Sequence, residues 1–598
     1  MTSAQLFKVR TAPNRERIQP FELFAPHCLD SYKLGHRAQY PKGTEYIYSN
    51  FTARSDKHLN IPAAFNDHRY VVWGVVAAWK EIVALWDKTF FSRPKEECLA
   101  KYRARIPAFT GKEAYVQHLS DLHDLGYLPL RVKMIREGSK VNIGVPFMTI
   151  VNTLPDYFWL TNSLETHISN EMWKPMTVAT IAYTYRKMLD HFAELTGAPK
   201  DFVPWQGHDF ADRGMSGMMD AAKSGGGHTL SFWGSDSVSA FDWLAFAYQG
   251  DKTFMGGSVP ATEHSVMTTG RTEGELDTIR RIITEVEPAG VVSFVADTYD
   301  FWKVITEYAV ALKDDILNRK FNELGLSKVV FRPDSGDPVD ILCGTVIPED
   351  VPKDENLMEY VKSLAWMEAE SAEVIAGHGE PGQPEVIRYF KQNNQVYKAT
   401  FDIEWNRYDK RFYYTEGATL KSLEPHTLTP QEKGAVECLW DIFGGDITDK
   451  GYKAVSQRVG LIYGDSITPE RCLQILQRLA DKGFASCNVV LGIGSYTYQY
   501  ITRDTLGMAI KGTYAHINGE GIEMMKDPKT DEGVKKSAKG LVKVLKSLEA
   551  DSKWKYNLVQ NVDWEEEDTG ALELVFENGN FLVEPSLEEA RNRLLTEA

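Results

Sequence analysis

Arg332 and Asp334 stand two residues apart, where the apolar run Val329-Val330-Phe331 gives way to Pro333, Ser335 and Gly336. On an extended backbone that spacing puts both side chains on one side. One is a fixed cation; the other accepts from hydroxyls or binds a metal. The same pair also fits a structural ion pair closing a turn. Three more aspartates end short apolar runs: Asp236 after Leu230 to Trp233, Asp297 after Val291 to Ala296, and Asp465 after Leu461 to Tyr463. Carboxylates ringed at one mouth would hold ribose hydroxyls or Mg²⁺. Each taken alone would equally serve as a helix N-cap. Gly492-Ile493-Gly494-Ser495 follows another apolar run, and glycines there let backbone N–H groups approach an anion. Read alone, it is also an ordinary turn. Gly225-Gly226-Gly227 is a weaker version of the same signal, or a flexible link. His264, in Pro260-Ala261-Thr262-Glu263-His264-Ser265, and His208 add imidazoles at two further run ends. A lone histidine is as readily structural.

The elements that would position these groups alternate. From about residue 203, short apolar runs end in polar, Gly-rich loops, and most are followed by a helical segment. That rhythm implies a parallel sheet, and so many units favour a closed β/α barrel. The rhythm breaks between Ile341 and about Lys433, in a stretch rich in Glu, Pro and Gly. It reads as an insertion carrying a hairpin, Val396 to Ile403 against Lys410 to Tyr414, turning at 406–409. Upstream, residues 1–22 are a polar arm and Asp30 opens a short helix. Glu45 to Phe51, Leu130 to Met134 and Phe147 to Val151 read as strands. Helices are predicted over 68–90, 111–122 and 158–198. Downstream, Ile510 to Ala515 is a strand, Leu541 to Leu545 fits a strand or a short helix, and the tail from Ser586 is helical.

The chain has 598 residues and a formal net charge of −16, which argues against a nucleic-acid-coating protein. Six scattered cysteines without CxxC spacing point to a reducing compartment, not to disulfides or zinc. The N-terminus lacks the apolar core of a signal peptide. The longest apolar stretch, Tyr70 to Trp79, is too short to span a bilayer. The expectation is a cytoplasmic protein without membrane contact.

Taken together and in order, Asp30-Ser31-Tyr32-Lys33, His208-Asp209-Phe210 with Arg213-Gly214, Gly234-Ser235-Asp236-Ser237 and Ser258 to Ser265 form a larger pattern. Asp297-Thr298-Tyr299-Asp300, Arg332-Pro333-Asp334-Ser335-Gly336, Gly464-Asp465, Thr502-Arg503-Asp504 and Lys526-Asp527-Pro528 continue it. The set resembles the nicotinamide phosphoribosyltransferases, a type II phosphoribosyltransferase family, from about residue 24 onward outside the 341–433 insertion. The resemblance implies an α/β fold: an irregular β/α barrel over 176–504, with an additional α+β domain built from 23–175 and 505–598. It implies transfer of phosphoribosyl from phosphoribosyl pyrophosphate to nicotinamide in NAD salvage, by a homodimer whose active sites lie at the interface.

In that pattern Phe210 and the partner's Tyr32 sandwich the pyridine, with Asp30 beside them. Arg332 meets the carboxamide oxygen, and Asp236 accepts from its NH₂ and selects amide over acid. Asp334, Gly464 and Asp465 face the ribose. Gly494 and Ser495 hold the 5′-phosphate. Arg54, Arg213, Arg503, Lys511, Lys526 and Lys535 serve the phosphates and pyrophosphate. Mg²⁺ lies near Asp297 and Asp334, and His264 is phosphorylated by ATP. The sequence departs from the pattern at Ser495-Tyr496 in the phosphate loop, at Ala509 and at Asp212. The rival readings are a nicotinate- or quinolinate-type transferase, a non-catalytic binder of NAD metabolites, and a barrel hydrolase using two of the carboxylates.

Overall fold

The computed structural model describes residues 21–347, 351–365, 385–408, 412–464, 466–528, 536–549 and 553–597. Its centre is a parallel sheet of six strands. Their order is Gly234–Ser235, Gly207–Asp209, Val489–Ile493, Val459–Tyr463, Ser327–Arg332 and Gly290–Val295. Apolar residues at Val329, Phe331, Leu461, Leu491 and Phe294 are fully or almost fully buried, as a sheet covered by helices requires. Residues 257–261 curl the sheet into a ring. Gly257 bridges Gly234 at one edge and Ala261 bridges Ser293 at the other, both in parallel. Gly256, Gly257 and Pro260 weaken any regular ladder here, so this seventh stave is held by isolated bridges. Leu230 to Trp233 is a turn; only Gly234–Ser235 is strand. His264 opens a short helix instead of ending a strand.

The second sheet is antiparallel and joins the two ends of the chain. Thr44–Thr52, Pro146–Asn152 and Leu130–Met134 lie between Ala509–Ile517 on one side and Glu573–Glu577 on the other. The α/β class, the irregular barrel and the domain made from both termini are therefore as the sequence pattern implied. Leu541–Leu548 is a strand. The predicted 68–90 helix starts late: Arg69–Val71 is a strand, and the helix runs Val75–Trp86. Helix Glu165–Thr196 is buried along most of its length and packs against the helix Met218–His228. That explains Gly225-Gly226-Gly227, which is neither an anion loop nor a flexible link. A Cβ at Gly225 would approach Ala240 Cβ to 2.7 Å, and one at Gly227 would approach Pro175 O to 2.8 Å. These glycines let helices touch backbone to backbone.

The insertion is a separate small unit. Strands Glu385–Gln392, Gln395–Tyr408 and Phe412–His426 form a three-stranded antiparallel sheet. Val351, Val361, Val386, Phe390, Ala399 and Phe401 give it its own core. The predicted hairpin is present with an extra first strand, but 406–408, expected in the turn, are paired strand, with Tyr408 opposite Phe412; residues 409–411 lie outside the described residues. The two ends meet at a neck. A Cβ on Gly434 would lie 2.4 Å from Gly344 N, and both glycines have positive φ (+80° and +61°). Lys482, just past the helix Pro469–Asp481, donates to the carbonyls of Cys343 and Lys433, each at 2.7 Å. That helix runs back from the strand ends, so the neck sits at the end of the barrel opposite its mouth.

Glu137 ties the N-terminal helix to this frame. Its Oε1 accepts from the backbone N–H groups of Val75 and Val76, at 3.0 Å each, and from the Tyr248 hydroxyl at 3.1 Å. The helix N-terminus favours a charge there, but the residue is only 3% exposed. Burial wins and pushes the carboxyl up from 4.5 to about 7. A raised folded-state pKa means stability is complete below the unfolded value near 4.5 and is lost as pH rises through about 7. Glu137→Gln should therefore be more stable than the parent at pH 8, by up to roughly 3 kcal/mol. The difference should vanish near pH 4.5, and denaturant titrations at both pH values read it directly.

Candidate active site

The C-terminal ends of the parallel strands bring most of the singled-out residues to one mouth. Phe210 follows the Gly207–Asp209 strand, and its N–H donates to Ile493 O at 3.0 Å. Its ring lies over Gly492, where a Cβ would come within 2.6 Å of Phe210 Cδ2. The His208 ring sits 4.6 Å from the Phe210 ring, tilted by 41°. Beneath them Asp209 is 1% exposed and accepts from Ala211 N–H (2.9 Å) and Ser237 Oγ–H (2.7 Å), locking two neighbouring strand ends together.

Asp236 Oδ1 accepts from His208 Nε2 at 2.9 Å and from Ser258 Oγ–H. Burial pushes this carboxyl up, but the bond and charge of His208, the Ser258 hydroxyl and the nearby Arg332 together bring it below the ordinary carboxylate range. Asp236 is thus an ionised, half-exposed acceptor facing a guanidinium. Arg332 donates from Nη2 to Thr262 O at 2.7 Å, and its buried Nε has no partner among the described residues.

Asp334 and Arg332 do share a side. A Cβ on Gly464 would meet Asp334 Oδ1 at 2.7 Å and Arg332 Cδ at 3.5 Å. Asp297 Oδ2 accepts from the Asp334 N–H (2.9 Å) and the Ser335 hydroxyl (2.6 Å). Its Oδ1 is buried and without a partner among the described residues. Helix capping is done by neighbours instead: Asp300 accepts from Lys303 N–H, and Asp337 from the N–H groups of Val339 and Asp340. That removes the capping alternative for Asp297 and Asp334. Among the described residues, no three His, Cys, Asp or Glu side chains group closely enough to cage a metal. The orphaned Asp297 oxygen beside Asp334 instead suits Mg²⁺, which binds through one or two carboxylates plus substrate phosphates.

His264 is exposed, with Nδ1 3.2 Å from Thr298 Oγ1. It is two residues from Thr262, whose carbonyl Arg332 holds. Arg213 lies on an exposed turn, Asp212–Gly214, pressed against the short helix Ser495–Tyr498: a Cβ on Gly214 would overlap Ser495 Cβ at 2.5 Å. Gly494 is the extended residue that starts that helix. Arg213, Gly494 and Ser495 thus adjoin at one side of the mouth.

The remaining residues lie on or beside the antiparallel sheet and the start of the helix Glu165–Thr196. Lys511 pairs with Asn50 across the strands, and Arg54 Nε donates to Gly507 O at 2.8 Å. Burial pushes the Lys511 ammonium down, Glu165 holds it up, and the charges of Arg54, Lys526 and Arg503 press it down further. Arg54 thus lies near three cations of the 503–526 segment, far from it in sequence. Lys33 shares Glu165 at 2.6 Å. Asp30 accepts from Thr166 Oγ–H at 2.6 Å, and Tyr32 is 63% exposed with His36 as its ring neighbour at 5.4 Å. Asp465 and Lys535 lie outside the described residues.

Two participants carried little sequence signal. Ser258 and Thr262 act through one hydroxyl and one carbonyl on the irregular stave. Their only mark was membership in the quoted runs. His208 stands at a run end in the sequence, but its partnership with Asp236 leaves no local mark.

The chain matches the nicotinate phosphoribosyltransferase (NAPRTase) family over residues 205–374 and 417–563. The unmatched 375–416 fall inside the insertion. A nicotinamide phosphoribosyltransferase of Acinetobacter baylyi is 44% identical over 576 residues, covering 96% of this chain and 97% of that protein. Proteins of the same name from Mycoplasma pneumoniae (29% over 527 residues, 84% and 92% covered) and Xanthomonas campestris pv. campestris (28% over 568 residues, 94% and 96% covered) are also similar.

Proposed function

This chain belongs to the nicotinate phosphoribosyltransferase (NAPRTase) family, and from that premise we propose that it is a nicotinamide phosphoribosyltransferase of NAD salvage. The observation that carries the choice of amide over acid is Asp236. It is an ionised acceptor opposite Arg332, which together match a carboxamide's NH₂ and oxygen. A nicotinate carboxylate would bring a like charge and no donor to Asp236, so the site disfavours the acid.

In the reaction, the pyridine nitrogen attacks C1′ of phosphoribosyl pyrophosphate. The N–C1′ bond forms as the C1′–O bond to pyrophosphate breaks, and the electron pair leaves with pyrophosphate. Phe210 stacks on the ring and orients the nitrogen. Asp334 and Gly464 face the ribose hydroxyls, and Gly494, Ser495 and Arg213 the 5′-phosphate. Asp297 with Asp334 would hold Mg²⁺, which when bound neutralises charge on the leaving pyrophosphate. The cations Arg54, Arg503, Lys511 and Lys526, with Asp30 and Tyr32, complete the site across a homodimer. Their gathering with Glu165 beside the antiparallel sheet, rather than at the parallel strand ends, supports that reading. Asp465 and Lys535 join these two sets by resemblance. ATP would phosphorylate His264, whose exposed ring keeps Nε2 available. Six free cysteines agree with a cytoplasmic setting, and among the described residues no helix is long and apolar enough to cross a membrane.

The purified chain with phosphoribosyl pyrophosphate and Mg²⁺ should make mononucleotide from nicotinamide and little from nicotinate; no product from nicotinamide would overturn the proposal. Asp236→Asn should lose about tenfold in kcat/KM for nicotinamide and gain at least as much for nicotinate. If it still ignores nicotinate, Asp236 is not the selector. His264→Ala should abolish ATP stimulation while keeping basal turnover, measured as mononucleotide formed with and without ATP. Undiminished stimulation would remove the phosphohistidine.

A further inference from the structure

Asp236 is gripped from two neighbouring staves of the barrel. Gly234 bridges His208 on one side and Gly257 on the other. His208, Asp236 and Ser258 therefore stand close in register on three adjacent segments. His208 Nε2 and the Ser258 hydroxyl both reach the same oxygen, Oδ1. An ionised carboxylate only accepts, so both groups must donate, His208 through an N–H at Nε2. Gly234 makes room for that imidazole: a Cβ there would lie 2.7 Å from His208 Nδ1.

We propose that His208 and Ser258 are positioning residues for substrate selection, which by occupying Oδ1 of Asp236 leave Oδ2 as the one acceptor offered to the substrate's carboxamide N–H. The terminal torsion of an aspartate is broad and nearly two-fold. Without fixed donors its two oxygens exchange and the acceptor loses direction. With both donors in place, the plane of the carboxylate is set by the barrel frame. His208 also backs the Phe210 ring, so one side chain sets both the acceptor and the stacking surface. The selectivity of the site is thereby built partly into the irregular closing segment 257–261, which carries Ser258.

The proposal rests on the reading of Asp236 as the amide acceptor, and the test separates the two. Ser258 is exposed, so Ser258→Ala should fold. Its nicotinamide KM should rise about tenfold, with kcat and the KM for phosphoribosyl pyrophosphate within about twofold, and Ser258→Thr should restore the parent value. His208→Leu should raise the same KM, while His208→Gln, which keeps an N–H donor, should recover most of it. Nicotinate turnover should stay at the parent level in all four, unlike in Asp236→Asn. A general structural defect would instead lower kcat and affect both substrates. Nicotinamide KM values within twofold of the parent in Ser258→Ala and His208→Leu, with Asp236→Asn impaired, would overturn the positioning role alone. An unimpaired Asp236→Asn would overturn the amide-acceptor reading and this inference with it.

Discussion

Asp297→Asn should lower kcat/KM by about 10²- to 10³-fold while leaving the unfolding transition almost unmoved. The two carboxylate oxygens of Asp297 have separate duties. Oδ2 accepts from the Asp334 N–H and the Ser335 hydroxyl and so shapes the loop after the Arg332 strand. Oδ1 is buried and unpartnered among the described residues, a costly state that a bound cation or water would relieve. An asparagine can keep its oxygen on the loop and put its NH₂ in place of Oδ1. The loop then survives, while the charge and the free acceptor are gone. Asp297→Ala removes both duties and should cost stability as well. Steady-state kinetics over a Mg²⁺ titration, beside thermal unfolding, distinguishes these outcomes. A near-native kcat/KM in Asp297→Asn would mean that Oδ1 serves only the fold.

Why such a site could be read from the sequence at all is a matter of local contrast. Arg332 and Asp334 stood out because apolar residues stop abruptly and turn residues begin, and that contrast is what a buried strand meeting a loop produces. Asp236, Asp297 and His208-Asp209-Phe210 carried the same mark. The closing stave 257–261 did not: Gly256, Gly257 and Pro260 erase the alternation by which a strand is recognised, so Ser258 had no frame to belong to. The glycine triple at 225–227 misled for a related reason. Glycine signals permissive backbone in loops and close packing in helices alike, and only Ala240, Trp243 and Pro175 across the interface show which applies. The cations Arg54, Lys511 and Lys526 were single residues in unrelated runs, and their gathering depends on long-range strand pairing that no local pattern encodes. Glu137 was invisible altogether, because nothing near it in sequence announces that Val75 and Val76 begin a helix over it.

The charged tail hid the largest stability effect. Arg591, on the last helix Leu587–Thr596, is only 8% exposed. Its guanidinium donates to Thr229 O from Nε (2.9 Å) and Nη2 (2.7 Å), and to the carbonyls of Phe254 and Met255. Burial pulls it down to about 10, so it remains charged at neutral pH with backbone oxygens as its solvation. Three carbonyls thus depend on one planar fork, a geometry that a lysine's single ammonium does not match. Two of them immediately precede Gly256-Gly257, the start of the irregular stave that brings Ser258 to Asp236 and Thr262 to Arg332. Arg591→Met should destabilise the protein by about 3–5 kcal/mol, because buried carbonyls lose their donors and a cavity is left unfilled. Arg591→Lys should recover only part of this, since one ammonium cannot reach all three. The shift in denaturant midpoint measures both. A loss under about 1 kcal/mol for Arg591→Met would mean that water replaces the guanidinium without penalty, and that the closing stave is held by its bridges to Gly234 and Ser293 alone.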